Sequence, residues 1–342
     1  MNETESGMAV ELRAAPEAVR RQALLTAPVA DLVARLRRTP PRLIVTCARG
    51  SSAHAATFGK HLFERHLGIP VAAAAPNIAT VYRRRLQLEG QLFLTISQSG
   101  RSDDLIESAA MARQAGALTV AIVNDTESPL AAGSDIVLPM AAGPELSVAA
   151  TKTFVASLAS LLGLTAAWTD DEAMHAALAH LPERLAVATD LDWSAAVSAL
   201  AATNSLITIG RGPTLAIARE ASLKLKETSN LHAEAFSGAE FLHGPVALVS
   251  TLYPVLMFMP TDAAAAGLSG LAADLRRKGA AVFTTEAGET GANILPALPP
   301  DHPDADAVCL IQSFYSLAVN LAERRGTNVN HPRHLQKVTR TR

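Results

Sequence analysis

The sequence predicts an α/β protein made of two doubly wound domains, each with a parallel sheet. Apolar runs that suit buried strands alternate with helical stretches such as Asp103 to Ala115, a pattern typical of βαβ units. The order of strand, small residues and helix occurs twice, in RLIVTCARGSSAHAATFGKHLFE and SLITIGRGPTLAIAREASLKLKE. Arg211-Gly212 follows Arg49-Gly50 by 162 positions, which is the spacing of duplicated domains rather than of solenoid repeats. With 342 residues, 49% of them hydrophobic, the chain is long enough for two buried cores.

This pattern divides the chain into four segments. They are an N-terminal helical arm (1–40), a first domain (41–170), a second domain (171–330) and a C-terminal tail (331–342). The arm opens with MNETESGMAVELR, which has acidic residues where a signal peptide would carry positive charge, and no apolar run follows it. We therefore expect a cytoplasmic protein.

Charge, cysteine content and hydropathy argue against several classes of partner. Lys and Arg number 30 against 32 Asp and Glu, so the net charge of −2 gives no general attraction for nucleic acid or an acidic membrane. Cys47 and Cys309 lie far apart in sequence and have no metal-ligand spacing, which fits a reducing compartment. The longest uncharged apolar segment, Thr153 to Trp168, is too short to span a bilayer comfortably and is predicted to be a buried helix.

Serine-rich loops follow two predicted strands of the first domain. Ser51 and Ser52 come after LIVT, whereas Ser97, Ser99 and Ser102 come after LFLTI, at the start of a helix. Both loops fall at the carboxyl edge of the predicted sheet, where doubly wound proteins bind ligands. Hydroxyl groups and free N–H groups at a helix N-terminus form an anion site without a formal charge. The alternative interpretation is that these serines only cap helices and fill turns.

Two loops at one sheet edge favour a bound phosphate over simple capping. The sequence has no G-x-x-x-x-G-K-[ST] motif, so a nucleoside triphosphate with magnesium is not expected. A small phosphate ester, such as a sugar phosphate, is the better prediction. In the second domain MFMPTD stands where the first has TISQSG, so we expect that domain to supply different groups.

The second domain contains a possible acid–base pair. On a helix predicted from about Pro213 to Thr228, Lys224 and Glu227 are three positions apart and can project from one face. A pair at this spacing is more often a solvated helix face than a catalytic one. The histidines His232 and His243 follow, and neither has the spacing of a metal site.

The tail sequence GTNVNHPRHLQKVTRTR is polar and basic. It suits either a disordered tail or a weak nucleic-acid arm. Turn residues Gly326 and Asn328 precede His331-Pro332, however, so an ordered strap that folds over a site is a third interpretation.

Five motifs in order make the chain resemble the sugar isomerase (SIS) domain family. They are SQSGRSDDL, ELSVAATKTF, KLKETSNLHAEAF, AEFLHGP and GTNVNHPRHLQK. From about residue 40 to the end, the sequence resembles the two-domain isomerase half of glucosamine-6-phosphate synthase. Only about forty residues precede the first strand, so the glutaminase domain of the synthase has no counterpart here. This arrangement is similar to the second class of glucosamine-6-phosphate deaminases, which release fructose 6-phosphate and ammonia.

The resemblance implies a role for each matched residue, in a reaction that needs no metal or other cofactor. Glu227 falls at the base that moves a proton between C1 and C2, and Lys337 at the lysine that contacts the open-chain sugar and can form a Schiff base. His243 falls at the residue that assists ring opening and enters the site from the partner subunit, which implies a homodimer. Lys224 borders the site, and Val148 lines it through its backbone. The residues implied to hold the 6-phosphate and nearby hydroxyls are Ser51, Ser52, Ser97, Gln98, Ser99 and Ser102.

Two departures from the synthase border the implied site. Leu242 replaces a lysine in EFLHGP, and Arg49 replaces a cysteine in RGSS. A galactosamine-6-phosphate deaminase or a fructosamine-phosphate deglycase would use Glu227 and Lys337 similarly. A non-catalytic sugar-phosphate sensor is an alternative of a different class. Sensors of this superfamily often carry a helix-turn-helix domain, for which residues 1–40 are too short and irregular.

Overall fold

The structure, a computed structural model, describes residues 6–289, 291–330 and 332–337. These residues form two compact units. The first-sheet unit comprises Glu17–Glu145, Lys152–Ala179, Gln336 and Lys337. The second-sheet unit comprises the described residues up to Pro16, Leu146–Thr151 and the described residues of His180–Leu335. Each unit therefore gathers segments that are distant in sequence.

Helices and strands alternate along most of the chain. The helices are α1 (Gly7–Arg13), α2 (Ala15–Ala23), α3 (Thr26–Arg38), α4 (Gly50–Leu67), α5 (Asn77–Thr80), α6 (Asp103–Gln114), α7 (Pro129–Gly133), α8 (Lys152–Thr169), α9 (Glu172–Thr189), α10 (Ser194–Ala201), α11 (Thr214–Ser229), α12 (Gly238–Phe241), α13 (Ala265–Arg277) and α14 (Pro303–Arg324). The strands are β1 (Ile44–Ala48), β2 (Val71–Ala73), β3 (Leu92–Ser97), β4 (Leu118–Val123), β5 (Ile136–Pro139), β6 (Ser205–Gly210), β7 (His232–Ser237), β8 (Pro254–Met257), β9 (Ala281–Ala287) and β10 (Ile294–Ala297). A 3₁₀ helix covers Pro245–Leu248.

The first sheet is parallel throughout, with strand order β2-β1-β3-β4-β5. This is the flavodoxin-like order. From β1 the chain first adds β2 on one side and then β3, β4 and β5 on the other, so the strand order reverses at the boundary between β1 and β3. Helix α6 buries Leu105, Ala109 and Ala112 against Val45 and Phe93 of the sheet. The spacing of these helix residues gives one apolar stripe, which is why α6 covers the sheet with a single face.

The second sheet has the equivalent order, β7-β6-β8-β9-β10, and is also parallel. Helix α13 buries Leu268, Leu271 and Leu275 against Val255 and Val282. Three strands of the first domain recur in the second at a similar spacing in sequence: β1 as β6, β3 as β8 and β4 as β9. The two members of each pair take equivalent places in the two sheets. The predicted α/β class with two parallel sheets, preceded by a helical arm, is confirmed.

Two long apolar helices are core elements. Helix α8 covers the segment predicted as a buried helix and is buried along nearly its whole length. Among the described residues, α14 is the one helix whose length and hydropathy would suit a membrane span, but 89% of the apolar window is buried inside the protein. Burial of this extent is typical of a core helix in a folded domain.

Candidate active site

The two serine loops of the first-sheet unit lie at neighbouring strands. Strands β1 and β3 are paired, with Ala48 opposite Ile96 near their carboxyl ends. Ser51 and Ser52, both half-buried, occupy the first turn of α4 directly after β1. The loop after β3 leads into α6. Both helix N-termini therefore open at the carboxyl edge of the first sheet, where the two loops are predicted to lie from the sequence.

Hydroxyl groups hold the turn after β3 in shape. The Gly100 N–H donates to Ser97 Oγ at 3.1 Å, and the Arg101 N–H donates to Ser99 Oγ at 3.3 Å. The Gln98 carbonyl accepts the Asn124 N–H at 3.2 Å. Turn filling, the simpler interpretation of these serines, is thus part of their role. Each hydroxyl still has a proton to donate after it accepts such a bond, so both groups can also serve an anion.

The start of α6 is joined to the first loop by an ion pair. Ser102 is the N-cap residue, but its side chain makes no capping hydrogen bond. Arg49, the N-cap of α4, contacts Asp104 Oδ2 through Nε at 2.9 Å and Nη2 at 2.8 Å. The Asp104 side chain is 1% exposed and its Oδ1 is buried without a hydrogen-bond partner. The arginine that departs from the synthase pattern therefore links the two serine loops.

In the second-sheet unit, α11 carries a buried row of charges. Lys224 Nζ lies 2.5 Å from Glu227 Oε2 and 3.4 Å from Glu220 Oε1. The Tyr315 hydroxyl donates to the same Glu220 oxygen at 3.4 Å. The exposed fraction of the side chain is 1% for Lys224, 0% for Glu220 and 18% for Glu227. The pair is therefore not a solvated helix face, and only Glu227 of the three reaches the surface.

Glu227 lines a small cleft near the C-terminal end of α11. The cleft has a volume of about 260 Å³. Its other walls are Thr228, Asn230, Gly326, Thr327, Asn328, Pro332 and Arg333. The Thr327 hydroxyl donates to the Thr228 carbonyl at 2.5 Å, and Arg325 Nε donates to the Ser229 carbonyl at 2.8 Å. The segment that follows α14 is thus held against the helix end beside Glu227.

His243 lies at the other end of the second sheet. It is exposed and comes after α12, which follows the carboxyl end of β7. Glu227 lies at the amino end, because Arg325 ties Ser229 to the Ala201 and Thr203 carbonyls just before β6. A six-residue strand such as β7 is about 20 Å long. Within one subunit these two predicted catalytic residues are therefore not brought together.

Lys337 and Val148 belong to different units. Lys337 Nζ lies 3.3 Å from Glu145 Oε2 in the first-sheet unit. Glu145 is buried and also accepts the Thr153 N–H at 3.1 Å at the start of α8. Val148 is half-buried in an irregular segment of the second-sheet unit. Of the predicted tail, His331 and residues 338–342 lie outside the described residues.

Three buried acids, in the two units, were not predicted as site residues from the sequence: Glu220, Glu145 and Asp104. Glu145 contacts Lys337 and Asp104 contacts Arg49, and both partners are distant in sequence. Glu220 contacts Lys224 on the same helix, where the burial of both side chains is a property of the fold. The spacing of four between Glu220 and Lys224 was the one available signal. Thr261 follows β8, the counterpart of β3, and so occupies the place in the second sheet that the serine loop occupies in the first. Its hydroxyl donates to Asp306 Oδ2 at 2.7 Å and is thus paired with a carboxylate. Among the described residues, no group of three or more His, Cys, Asp or Glu side chains could hold a metal ion.

Comparison with known proteins identifies the family of the chain. The family model described as "SIS domain" matches residues 39–167 and 199–287. Glutamine–fructose-6-phosphate aminotransferase [isomerizing] from Symbiobacterium thermophilum is 34% identical over 316 residues, which cover 86% of this chain and 51% of the relative. The chain thus spans about half the length of this curated relative.

Two solved structures are similar over nearly their full lengths. A protein described as a phosphosugar isomerase from Silicibacter pomeroyi DSS-3 has 45% identity and a TM-score of 0.90, and the match covers 95% of this chain and 99% of that one. The C-terminal domain of glucosamine-fructose-6-phosphate aminotransferase from Francisella tularensis has 25% identity and a TM-score of 0.87, over 97% and 99% of the two chains. Because the family model covers the first sheet, four of the five strands of the second sheet and more than half of the residues, the chain belongs to the SIS domain family.

Proposed function

We propose that this protein is a glucosamine-6-phosphate deaminase, which converts glucosamine 6-phosphate and water to fructose 6-phosphate and ammonia. The observation that carries the proposal is Glu227: a partly exposed carboxylate in a small cleft, held at 2.5 Å by the buried ammonium group of Lys224. A base fixed in this way suits proton transfer beside a carbonyl, which requires reach and orientation rather than a metal.

The serine loops of the first-sheet unit support a phosphate ester as the ligand. Hydroxyl groups and N–H groups at the starts of α4 and α6 suit a phosphate ester. The relatives at 34% and 25% identity are named for fructose 6-phosphate, the product proposed here. These features together support a hexose 6-phosphate as the ligand.

The reaction follows from the proposed roles. His243 of a partner subunit assists opening of the sugar ring, which exposes the C1 aldehyde beside the C2 amine. Glu227 removes the C2 proton and returns it to C1, so that the aldehyde becomes a primary alcohol and C2 becomes an imine. Water adds to the imine carbon, the C–N bond breaks and ammonia leaves. Lys337 stabilises the developing oxyanion or forms a Schiff base with the ketose.

The test is a measurement of ammonia and fructose 6-phosphate from purified protein supplied with glucosamine 6-phosphate, with galactosamine 6-phosphate in parallel. We expect both products in equal amounts from glucosamine 6-phosphate. Glu227→Gln should abolish turnover, and with it the exchange of the C2 proton with deuterated solvent, while sugar-phosphate binding is kept. Ammonia release at the normal rate from this variant would rule out Glu227 as the base.

Two other results would replace the proposal. Turnover of galactosamine 6-phosphate alone would assign a different aminosugar with the same chemistry. Tight binding of sugar phosphates without turnover of either substrate would favour the sensor or a deglycase of another amine adduct.

A further inference from the structure

We propose that helix α1 is a clasp that positions two segments of the candidate active site, with Glu11 as its main positioning residue. The segments are Leu146–Val148 and Gly326–Asn330, and all three elements lie in the second-sheet unit. The proposal rests on the proposed function in one respect: it assumes that Val148 and the cleft beside Glu227 belong to the substrate site. Helix α1 lies outside the residues that the SIS family model matches.

Glu11 holds the first segment by its backbone. Its carboxylate accepts the Ser147 N–H at 3.2 Å and 3.3 Å through its two oxygens, and it also accepts the Leu146 N–H. Glu11 is 8% exposed and Ser147 is 5% exposed, so these are buried, charge-assisted hydrogen bonds. Together they fix the two residues that immediately precede Val148.

Gly7 holds the second segment. Its N–H donates to Asn330 Oδ1 at 2.8 Å, and the Asn330 N–H in turn donates to Asn328 Oδ1 at 2.9 Å. Asn328 is one of the residues that line the cleft with Glu227. Gly7, the first residue of α1, therefore contacts the segment Gly326–Asn330, part of which forms a wall of the cleft.

The backbone of Gly7 lies close to both segments. A Cβ atom at this position would lie 3.1 Å from Ser147 Oγ and 3.2 Å from Asn330 Oδ1. A side chain at this position would therefore crowd both segments at the same point. A helix of seven residues has little stability of its own, so its position depends on Met8 and Leu12, which are buried, and on these polar contacts.

The test uses two variants of the clasp and two matched controls in the whole protein. Glu11→Gln removes the charge with little change of shape, and Gly7→Ala crowds Ser147 and Asn330. Glu17→Gln removes an exposed carboxylate from the next helix, and Gly270→Ala adds a methyl group to a helix where no atom lies within 4 Å. Amide hydrogen exchange is measured on peptides that cover 146–151 and 326–330, together with kcat and KM for glucosamine 6-phosphate.

We expect Glu11→Gln and Gly7→Ala to raise exchange in both peptides and to lower kcat about tenfold. Glu11→Gln loses one or two charge-assisted hydrogen bonds, whereas the methyl group of Gly7→Ala displaces Ser147 and Asn330. The controls should match the wild type in both readouts. Faster exchange in 146–151 alone would overturn the linkage between the segments, and wild-type exchange in both variants would overturn the clasp altogether. If the wild type does not turn over glucosamine 6-phosphate, the proposed function fails, but the exchange measurement still decides whether α1 joins the two segments.

Discussion

Lys224 is a buried cation between two carboxylates, and this explains why one residue of α11 can determine both stability and activity. An ammonium group that is 1% exposed would be costly to bury alone. Here Glu220 and Glu227 offset that cost, and the same contacts orient the Glu227 carboxylate. The residue that borders the site by resemblance is therefore also part of the core.

We predict that Lys224→Met destabilises the protein by about 3–5 kcal/mol, because it removes the buried ammonium group that lies between two carboxylates. Urea unfolding should show a lower midpoint with an unchanged slope. The double variant Lys224→Met with Glu220→Gln also removes the fully buried negative charge of Glu220 and should recover part of the loss. No difference between the single and double variants would contradict the buried triad.

The two thiols give a prediction about pH. Burial holds the pKa of Cys47 and Cys309 at about 12 in the folded protein, against an ordinary value of 9.0. The unfolded chain therefore loses these protons first, so they reduce the free energy of unfolding as pH rises from about 9 toward 12. Iodoacetamide at pH 8 should modify neither thiol in the folded protein but both in urea. Rapid modification of the folded protein would contradict their burial.

At the scale of elements, the turn between β3 and α6 depends on a single glycine. Gly100 has φ of +61°, and a Cβ atom there would lie 2.1 Å from Ser128 Oγ. Ser128 is fully buried and caps α7 by accepting the Ala131 N–H. The serine loop therefore has no room to move away from a side chain at this position.

We predict that Gly100→Ala weakens fructose 6-phosphate binding at least tenfold and lowers the melting temperature, because the turn that presents Ser97 and Ser99 must distort. Gly90→Ala is the control: φ there is +70°, but no atom lies within 4 Å of the added methyl group. Calorimetric titration should show near wild-type affinity for the control. Equal affinities in the two variants would mean that the turn does not contact the ligand.

The sequence predicts the elements best where strands are apolar and central. Strands β1, β3 and β4 and their counterparts are buried runs flanked by helices, and they were predicted. Strands β2 and β5 have three and four residues, too few for a clear pattern, and both lie at sheet edges. The serine loops were predictable because they follow strong strands. The contacts of Glu220, Glu145 and Asp104 were not, because burial and long-range proximity leave little trace in local spacing.

At the scale of the whole molecule, the placement of Glu227 and His243 at opposite ends of one sheet favours a site shared between subunits. An isologous dimer would bring each histidine to the partner's glutamate, and both sites would form together. The dimer remains a prediction, and it can be tested without knowledge of the interface.

We predict that two inactive variants complement each other. Glu227→Gln and His243→Ala should each lose turnover, but half of the dimers in an equal mixture would contain one of each, with one intact site. Unfolding and refolding the mixture should therefore restore about one quarter of wild-type activity. Each variant refolded alone is the control. Activity no greater than that of the separate variants would contradict a shared site.

The contacts of α1 also bear on how the protein is made. The helix is synthesised well before Ser147 and Asn330, which it binds. At about 5–20 residues per second, the interval between Glu11 and Asn330 is tens of seconds. The first-sheet strands can pair during that time, whereas α1 cannot complete its contacts until Asn330 has been synthesised. Completion of the Glu227 cleft therefore comes after the folding of the first sheet can begin.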